Sequence, residues 1–351
     1  MKKREIIATT MLILGAVLII AALLIVFIPT KPYVELANGN VLYAPGHNRA
    51  NSIDKTIADF FTAYDSGTLT TIMKIVTYLG ESIIYIAVLM VLYYIWDKKK
   101  AYKAIFVLIS SVEITAVSKG AFRLDRPDEN WGYPKTGKTT YGLPSGHAQL
   151  STTFWGSLSI IISKWGMITV GVALPLLIGF SRIFLVVHWF TDMIMGFGIG
   201  LIVIGLFMFL DEPITNYFEN KSIALKMLVI LTLFIIFTIP VIFLHRGSVP
   251  NEFKQKISVL KLLVLFTTVS LSYIVEGKFI DYNSKADKWW KTILRLLIVI
   301  IPIAIIYVYD EILTEDMALN ALKISLDMVV YAIMGPILIL LLPWVIKKLD
   351  L

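Results

Sequence analysis

Three short stretches carry the side chains able to do chemistry: "KGAFRLDRP" at 119–127, "YGLPSGHAQL" at 141–150 and "SRIFLVVHWFTD" at 181–192. Together they hold three cations (Lys119, Arg126 and Arg182), two histidines (His147 and His188), Ser145 and the carboxylate of Asp192. Such a set suits a phosphate dianion. Arginine offers a planar fork to phosphate oxygens, lysine a point charge, and Gly146 lets backbone N–H groups approach a ligand closely. Lys119 and Arg126 are almost two helical turns apart, so a helix running to Pro127 would carry both on one face. His188 and Asp192 stand at i and i+4, where a carboxylate on the same helix face can fix an imidazole tautomer. Each stretch alone also has an ordinary reading. Ser145 can cap the helix that follows, the cations can snorkel to an interface, and a lone His–Asp pair can be structural.

The elements that must position these residues lie in a membrane. The chain of 351 residues is 57% hydrophobic and 16% charged, with a mean hydropathy of +0.78, which excludes an ordinary soluble domain. Apolar runs able to cross a layer of roughly 30 Å recur ten times. They lie near 6–29, 70–96, 102–119, 147–163, 166–186, 189–210, 226–244, 258–275, 292–309 and 325–346. Backbone in lipid must satisfy its own N–H and C=O groups, so these runs predict an all-α, polytopic transmembrane helix bundle. The "MKKRE" start resembles the basic region of a signal peptide, but the run behind it is long and lacks a small-residue cleavage pattern; it reads as a retained anchor.

With the N-terminus inside, the inner segments carry 16 Lys and Arg. The outer segments carry 14, of which Lys119, Arg126 and Arg182 belong to the three stretches. The remaining 11 leave a modest positive-inside bias. On this topology the three stretches reach one outer face, at the exit of the third run, at the entrance of the fourth, and between the fifth and sixth. The net charge of +7 reads as topology and affinity for anionic lipid, with no basic, aromatic-laced stretch for nucleic acid. The chain has no cysteine, which excludes disulfides and thiolate chemistry. The outer loops near the three stretches hold no obvious Asp/Glu cluster for Mg²⁺, so neither metal nor cofactor is expected.

In order, Lys-x6-Arg-Pro, Pro-Ser-Gly-His and Ser-Arg-x5-His-x3-Asp resemble the three signature motifs of the type 2 phosphatidic acid phosphatase superfamily, matched at every signature position. The resemblance covers roughly residues 50–210 and implies a six-span core with the activity of a lipid phosphate phosphatase. It implies that His188 attacks phosphorus to give a phosphohistidine and that Asp192 orients it. It further implies that His147 protonates the leaving oxygen and then activates water, while Lys119, Arg126, Ser145, Gly146 and Arg182 hold the phosphoryl oxygens. The chemistry agrees, because in-line phosphoryl transfer needs mainly positioning and charge neutralisation, and a covalent intermediate divides it into two steps.

The expected layout is an N-terminal anchor span and outer loop at 1–50, a catalytic core at 51–212 and a C-terminal transmembrane extension of about four spans at 213–351. Sphingosine-1-phosphate phosphatases and glucose-6-phosphatases share that coarse layout. The extension reads either as a structural block, through which a homo-oligomer would form, or as one wall of a substrate groove. The motifs read only the phosphate. A site at the membrane surface, with few outer Asn, Gln or Asp side chains for sugar hydroxyls, favours a membrane lipid: phosphatidate, phosphatidylglycerophosphate, a sphingoid phosphate or a polyprenyl diphosphate. A small soluble ester is the alternative substrate. A lipid transporter or flippase and an inactive scaffold are the rival classes. The expected location is the plasma membrane, with the active site on its extracytoplasmic face.

Other residues carry open readings. Ile53, Ile57, Phe60, Phe61 and Tyr64 form one helical stripe, an anchor on the outer membrane surface or a gate. The segment "DENWGYPKTGKTTYG" is an interfacial connection or a substrate lid. His47 and His245 are expected to be solvated or interfacial. Glu81 and Glu113 fall inside apolar runs, where acids are costly. They would pair with Lys74 or neighbouring Ser and Thr, or belong to a proton path.

Overall fold

A computed structural model describes residues 2–27, 34–35, 41–42, 52–64, 66–127, 140–244, 250–309 and 321–351. His47, His245 and most of the lid segment, residues 128–139, lie outside the described residues. Regular structure is helical apart from a two-residue antiparallel ladder, β1 (Val34–Glu35) with β2 (Val41–Leu42). Among the described residues eight helices are long and apolar enough to cross a membrane, and a bent pair brings this to as many as nine. The fourth predicted run, at 147–163, forms a helix of 17 residues, about 26 Å long and so slightly short of a full span. Four of the eight lie in the extension, at Ile223–Phe243, Lys256–Phe279, Trp289–Val308 and Ala321–Lys348. The chain divides into two compact units, residues 1–85 with 110–213 and residues 86–109 with 214–351.

The first unit contains α1 (Lys2–Phe27), α2 (Ser52–Ala63), α3 (Gly67–Tyr78), the start of α4 (Ser82–Val91), the end of α5 (Lys98–Phe122), α6 (Gly146–Ile162), α7 (Trp165–Phe184) and most of α8 (Phe190–Glu219). The second predicted run is not one straight helix, because α3 and α4 meet at a 45° bend. Nor does the third continue to Pro127. It stops at Phe122, where Arg123 takes a left-handed φ of 51° and closes the helix. Lys119 therefore sits in the last turn of α5 while Arg126 lies on the non-helical segment beyond it.

The N-terminal helix packs closely along one side. A Cβ on Gly15 would fall 2.7 Å from the Gly198 carbonyl oxygen of α8, so the two backbones meet through a seam of small residues. Ala8, Ile204 and Met208 bury themselves beside it, and Arg4 binds Asp211 at 3.2 Å. α2 shows three faces. Asp54, Ala58 and Phe61 turn inward; Ile53, Phe60 and Tyr64 are exposed apolar side chains; Lys55 pairs with Asp59 at 2.8 Å on a third, polar face. That is the pattern of a helix lying between protein, lipid and water.

The second unit contains a π-turn at Leu92–Trp96, the start of α5, α9 (Ile223–Leu244), α10 (Pro250–Phe279), α11 (Trp289–Val308), α12 (Ala321–Pro336), a second π-turn at Ile337–Leu341 and α13 (Leu342–Lys348). Its later helices read as almost purely apolar in sequence, yet they bury a charged network. Glu276 of α10 accepts from Lys98 Nζ at 3.0 and 3.1 Å and from the Tyr282 N–H at 2.6 Å. Arg295 of α11 donates to the carbonyls of Tyr94, Ser284 and Leu351. The π-turn leaves the Tyr94 carbonyl available to a second donor, the Tyr282 hydroxyl at 2.6 Å. Asp327 accepts from Tyr309 at 2.7 Å. Tyr102 stacks on Tyr273 with centroids 4.1 Å apart.

Candidate active site

His188 does not stand on a helix. It occupies the turn ahead of α8, and Asp192 is the third residue of that helix, so their contact comes from helix initiation. His188 Nδ1 lies 3.0 Å from Asp192 Oδ2, which also accepts the Trp189 N–H at 3.1 Å. Asp192 thus satisfies an orphan backbone donor at the helix start in the manner of a capping box and holds the imidazole with the same oxygen. A second carboxylate completes the terminus from far away in sequence. Asp54 of α2, 1% exposed, accepts the Thr191 N–H at 2.9 Å and the Thr191 hydroxyl at 2.6 Å. Val186, a β-branched residue held at φ 48°, packs with Ala58 and Trp189 against this helix. Such a conformation costs on the order of 1–3 kcal/mol and persists where surrounding contacts enforce it.

Arg126 closes the other side of the ring. Its Nη1 lies 2.7 Å from His188 Nε2 and donates to the Val187 carbonyl at 3.1 Å. Its Nε and Nη2 donate to the carbonyl and hydroxyl of Thr140. Lys119 donates to the Tyr141 carbonyl at 2.8 Å. The first motif is therefore tied to the segment leading into the second. Because guanidinium can only donate and carboxylate only accept, His188 carries its proton on Nδ1 and its lone pair on Nε2. Burial first, then the charges of Arg126, Arg182, Lys119 and His147, hold this imidazole well below the ordinary histidine range. It is neutral near pH 7.

The second motif opens α6. Ser145 stands at the N-cap position, but its side chain makes no cap bond. The fully buried Oγ has no partner, which corrects the expectation that it caps the helix. Its N–H donates to the Asp192 carbonyl at 2.9 Å, which joins the starts of α6 and α8. A Cβ on Gly146 would meet only Thr115 Cγ2, at 3.6 Å, so nothing within the chain demands glycine there. Arg182, at the end of α7, donates to Thr77 Oγ1 at 2.7 Å while its buried Nε has no partner. His147 Nε2 lies 3.2 Å from Glu81 Oε1.

All eight residues singled out in sequence thus belong to one unit. Hydrogen bonds link Arg126, His188, Asp192 and Ser145 directly, and the charges of Lys119, Arg182 and His147 act on His188. Sequence reasoning missed Asp54, Thr77 and Gly80. The signals available were an acid on the buried side of an otherwise apolar stripe, and Gly80 beside Glu81 inside a long run. Glu81 meets His147, and both carboxylate oxygens of the buried Glu113 lack a hydrogen-bond partner, so Glu113 does not pair with a nearby hydroxyl. Among the described residues no three His, Asp or Glu side chains converge as a metal cluster.

The fold defines a polytopic helical membrane protein. Residues 100–215 match the sequence model of the PAP2 superfamily, and the chain belongs to that superfamily. Residues 261–351 match a second model, PAP2 superfamily phosphatase, transmembrane extension; the protein is an integral membrane phosphatase of the PAP2 type. Among solved structures, it is similar to a transmembrane PAP2 type phosphatidylglycerolphosphate phosphatase from Bacillus subtilis, at 21% identity. That match covers 61% of this chain and 98% of the other, with a TM-score of 0.43. No curated protein matches the chain.

Proposed function

We propose that this phosphatase hydrolyses a membrane lipid phosphate, monoester or diphosphate, at the outer face of the plasma membrane through a phosphohistidine on His188. The carrying observation is the buried His188 ring between Asp192 on Nδ1 and Arg126 on Nε2, a neutral imidazole whose lone pair faces a cation. An arriving phosphoryl group draws the guanidinium from Nε2 to its own oxygens and frees the lone pair beside phosphorus. Lys119, Arg182, the Ser145 hydroxyl and the N–H groups at the start of α6, approachable because residue 146 is glycine, take the remaining charge. Residues 51–212 form the catalytic core in this reading.

Nε2 then forms a P–N bond as the P–O ester bond breaks, and His147 gives its proton to the leaving oxygen. In the second step His147 takes a proton from water, the water oxygen bonds to phosphorus, and the P–N bond breaks. Inorganic phosphate leaves and His188 is neutral again. Asp192 steadies the positive charge on the ring while phosphorus is attached. A lipid suits the exposed apolar face of α2, which docks beside the His188 turn.

Phosphate release in mixed micelles tests the substrate class, comparing phosphatidate, phosphatidylglycerophosphate, a sphingoid phosphate and a polyprenyl diphosphate with short-chain analogues and glucose 6-phosphate, excess EDTA being present throughout. A long-chain lipid is expected to be hydrolysed most efficiently, with most activity kept in EDTA; equal efficiency for glucose 6-phosphate sinks the lipid reading. Labelled phosphate trapped under alkaline denaturing conditions should be acid-labile and absent from His188→Ala. For sidedness, a single cysteine placed within 128–140 should react with an impermeant thiol reagent in intact cells and one at 98–100 should not.

A further inference from the structure

We propose that Glu81, at the break in the second span, is a positioning residue for His147; the proposal rests on the reading of His147 as the acid and base of the reaction. α3 ends at Tyr78 and α4 begins at Ser82, and three residues in or beside this break touch the site. Thr77 takes the hydrogen bond from Arg182 Nη1. A Cβ on Gly80 would fall 3.0 Å from His147 Cδ2 and 2.8 Å from Ile178 Cγ2, so glycine lets the imidazole lie against the chain. Glu81 Oε1 stands 3.2 Å from His147 Nε2. Thr77, Gly80 and Glu81 stand at i, i+3 and i+4, the spacing of one helix face, and all three meet the site.

The break covers the Nε2–Cδ2 edge of the His147 ring, and the opposite edge carries Nδ1. A carboxylate on Nε2 keeps that N–H in place and fixes the ring plane. Nδ1 then donates to the leaving oxygen in the first step and accepts from water in the second. His188 has the converse arrangement, with Asp192 on Nδ1 and Nε2 reactive. The charge of Glu81 argues against a binding role. A negative group beside a site for a dianion opposes phosphate, so its contribution lies in the proton transfer and not in affinity.

This separates Glu81 from a merely structural residue. Glu81→Gln and Glu81→Asp would be compared with wild type on a lipid phosphate monoester, whose alkoxide leaves poorly, and on p-nitrophenyl phosphate, whose leaving group needs little protonation. Loss of an oriented general acid costs on the order of 10²-fold or more. For Glu81→Gln, kcat on the lipid is expected to fall by about that factor, kcat on the aryl ester by less than about threefold, with Glu81→Asp between Gln and wild type on the lipid. Inhibition by inorganic phosphate should be unchanged or tighter. Equal losses on both substrates, or phosphate inhibition weakened in step with kcat, would overturn the proposal. His188→Ala is run alongside: full turnover in that variant overturns the underlying mechanism, whereas its inactivity combined with equal Glu81→Gln losses overturns Glu81 alone.

Discussion

The motif cluster of the first unit and the Lys98–Glu276 cluster of the second spend their hydrogen bonds in opposite ways. In the first, two donors of the motifs are left open: Ser145 Oγ and Arg182 Nε lack partners. In the second, Glu276 accepts from Lys98 and the Tyr282 N–H, while the Tyr282 hydroxyl and Arg295 donate to backbone carbonyls, so that of these four side chains only Arg295 Nε is left over. Unsatisfied buried groups cost roughly 1–3 kcal/mol each, so a fold keeps them where something else gains by them. A site for phosphate needs donors held ready, while a structural network needs donors already spent. The difference teaches which charges to read as chemistry and which as fastening.

The sharpest way to break this contrast is to delete one group from each unit. His188→Ala is expected to lower turnover by at least about 10⁴-fold, with Asp192→Asn costing about 10²-fold or more, while the thermal unfolding midpoint in detergent moves little. Glu276→Ala should do the reverse. Lys98 then keeps only the exposed Asp281, at 3.1 Å, and the Tyr282 N–H loses its acceptor, so stability should fall by about 1–3 kcal/mol, and the protein that stays folded should keep its kcat. Replacing Lys98 and Glu276 together by apolar residues of similar volume should recover most of that stability. A Glu276→Ala protein that is stable but inactive would erase the distinction between the units.

A smaller effect is expected where fastening and chemistry meet. Asp54→Ala removes the carboxylate that caps α8 and should cost about 1–2 kcal/mol by thermal unfolding, with Asp54→Asn costing less because an amide oxygen still accepts. The smallest effect is in pH. The folded-state pKa of His188 lies below its unfolded value near 6.5, so above about pH 7 its titration does not affect stability. As pH falls below about 6.5 the unfolded chain gains a proton that the folded chain refuses, and stability drops by as much as about 1.4 kcal/mol per pH unit. The unfolding midpoint of wild type, compared with His188→Asn in phosphate-free buffer, should fall more steeply between pH 6.5 and 5; parallel curves would contradict a buried neutral imidazole.

Much of this was legible in sequence because it is local. Apolar run lengths report spans, and three motifs of fixed internal spacing report the cations, the histidines and Asp192. What escaped depends on contacts between distant segments or on local geometry that periodicity does not report. Asp54 and Thr191 are 137 residues apart, and nothing in "NSIDKTIADFF" says that its acid will cap a later helix. The apolar run at 70–96 hides its own bend, since Gly80 and Glu81 interrupt neither length nor hydropathy. Lys119 and Arg126 fit one helix face by count, but Arg123 ends the helix between them. Arg295 sits in a run whose average is apolar, and only the folded carbonyls around it show why a cation is tolerated.

The seam between Gly15 and Gly198 bears on biogenesis. α1 leaves the ribosome well before α8, and its backbone partner is made about 180 residues later. At 5–20 residues per second that is an interval of roughly 10–40 s. During it α1 must wait in lipid or at the translocon with its small-residue face uncovered, so the catalytic bundle closes only after α8 is inserted. Nascent chains arrested before residue 190 should leave a cysteine at position 15 open to a membrane-soluble thiol reagent, and chains arrested well beyond α8 should protect it. Equal labelling at both lengths would show that α1 does not wait for α8.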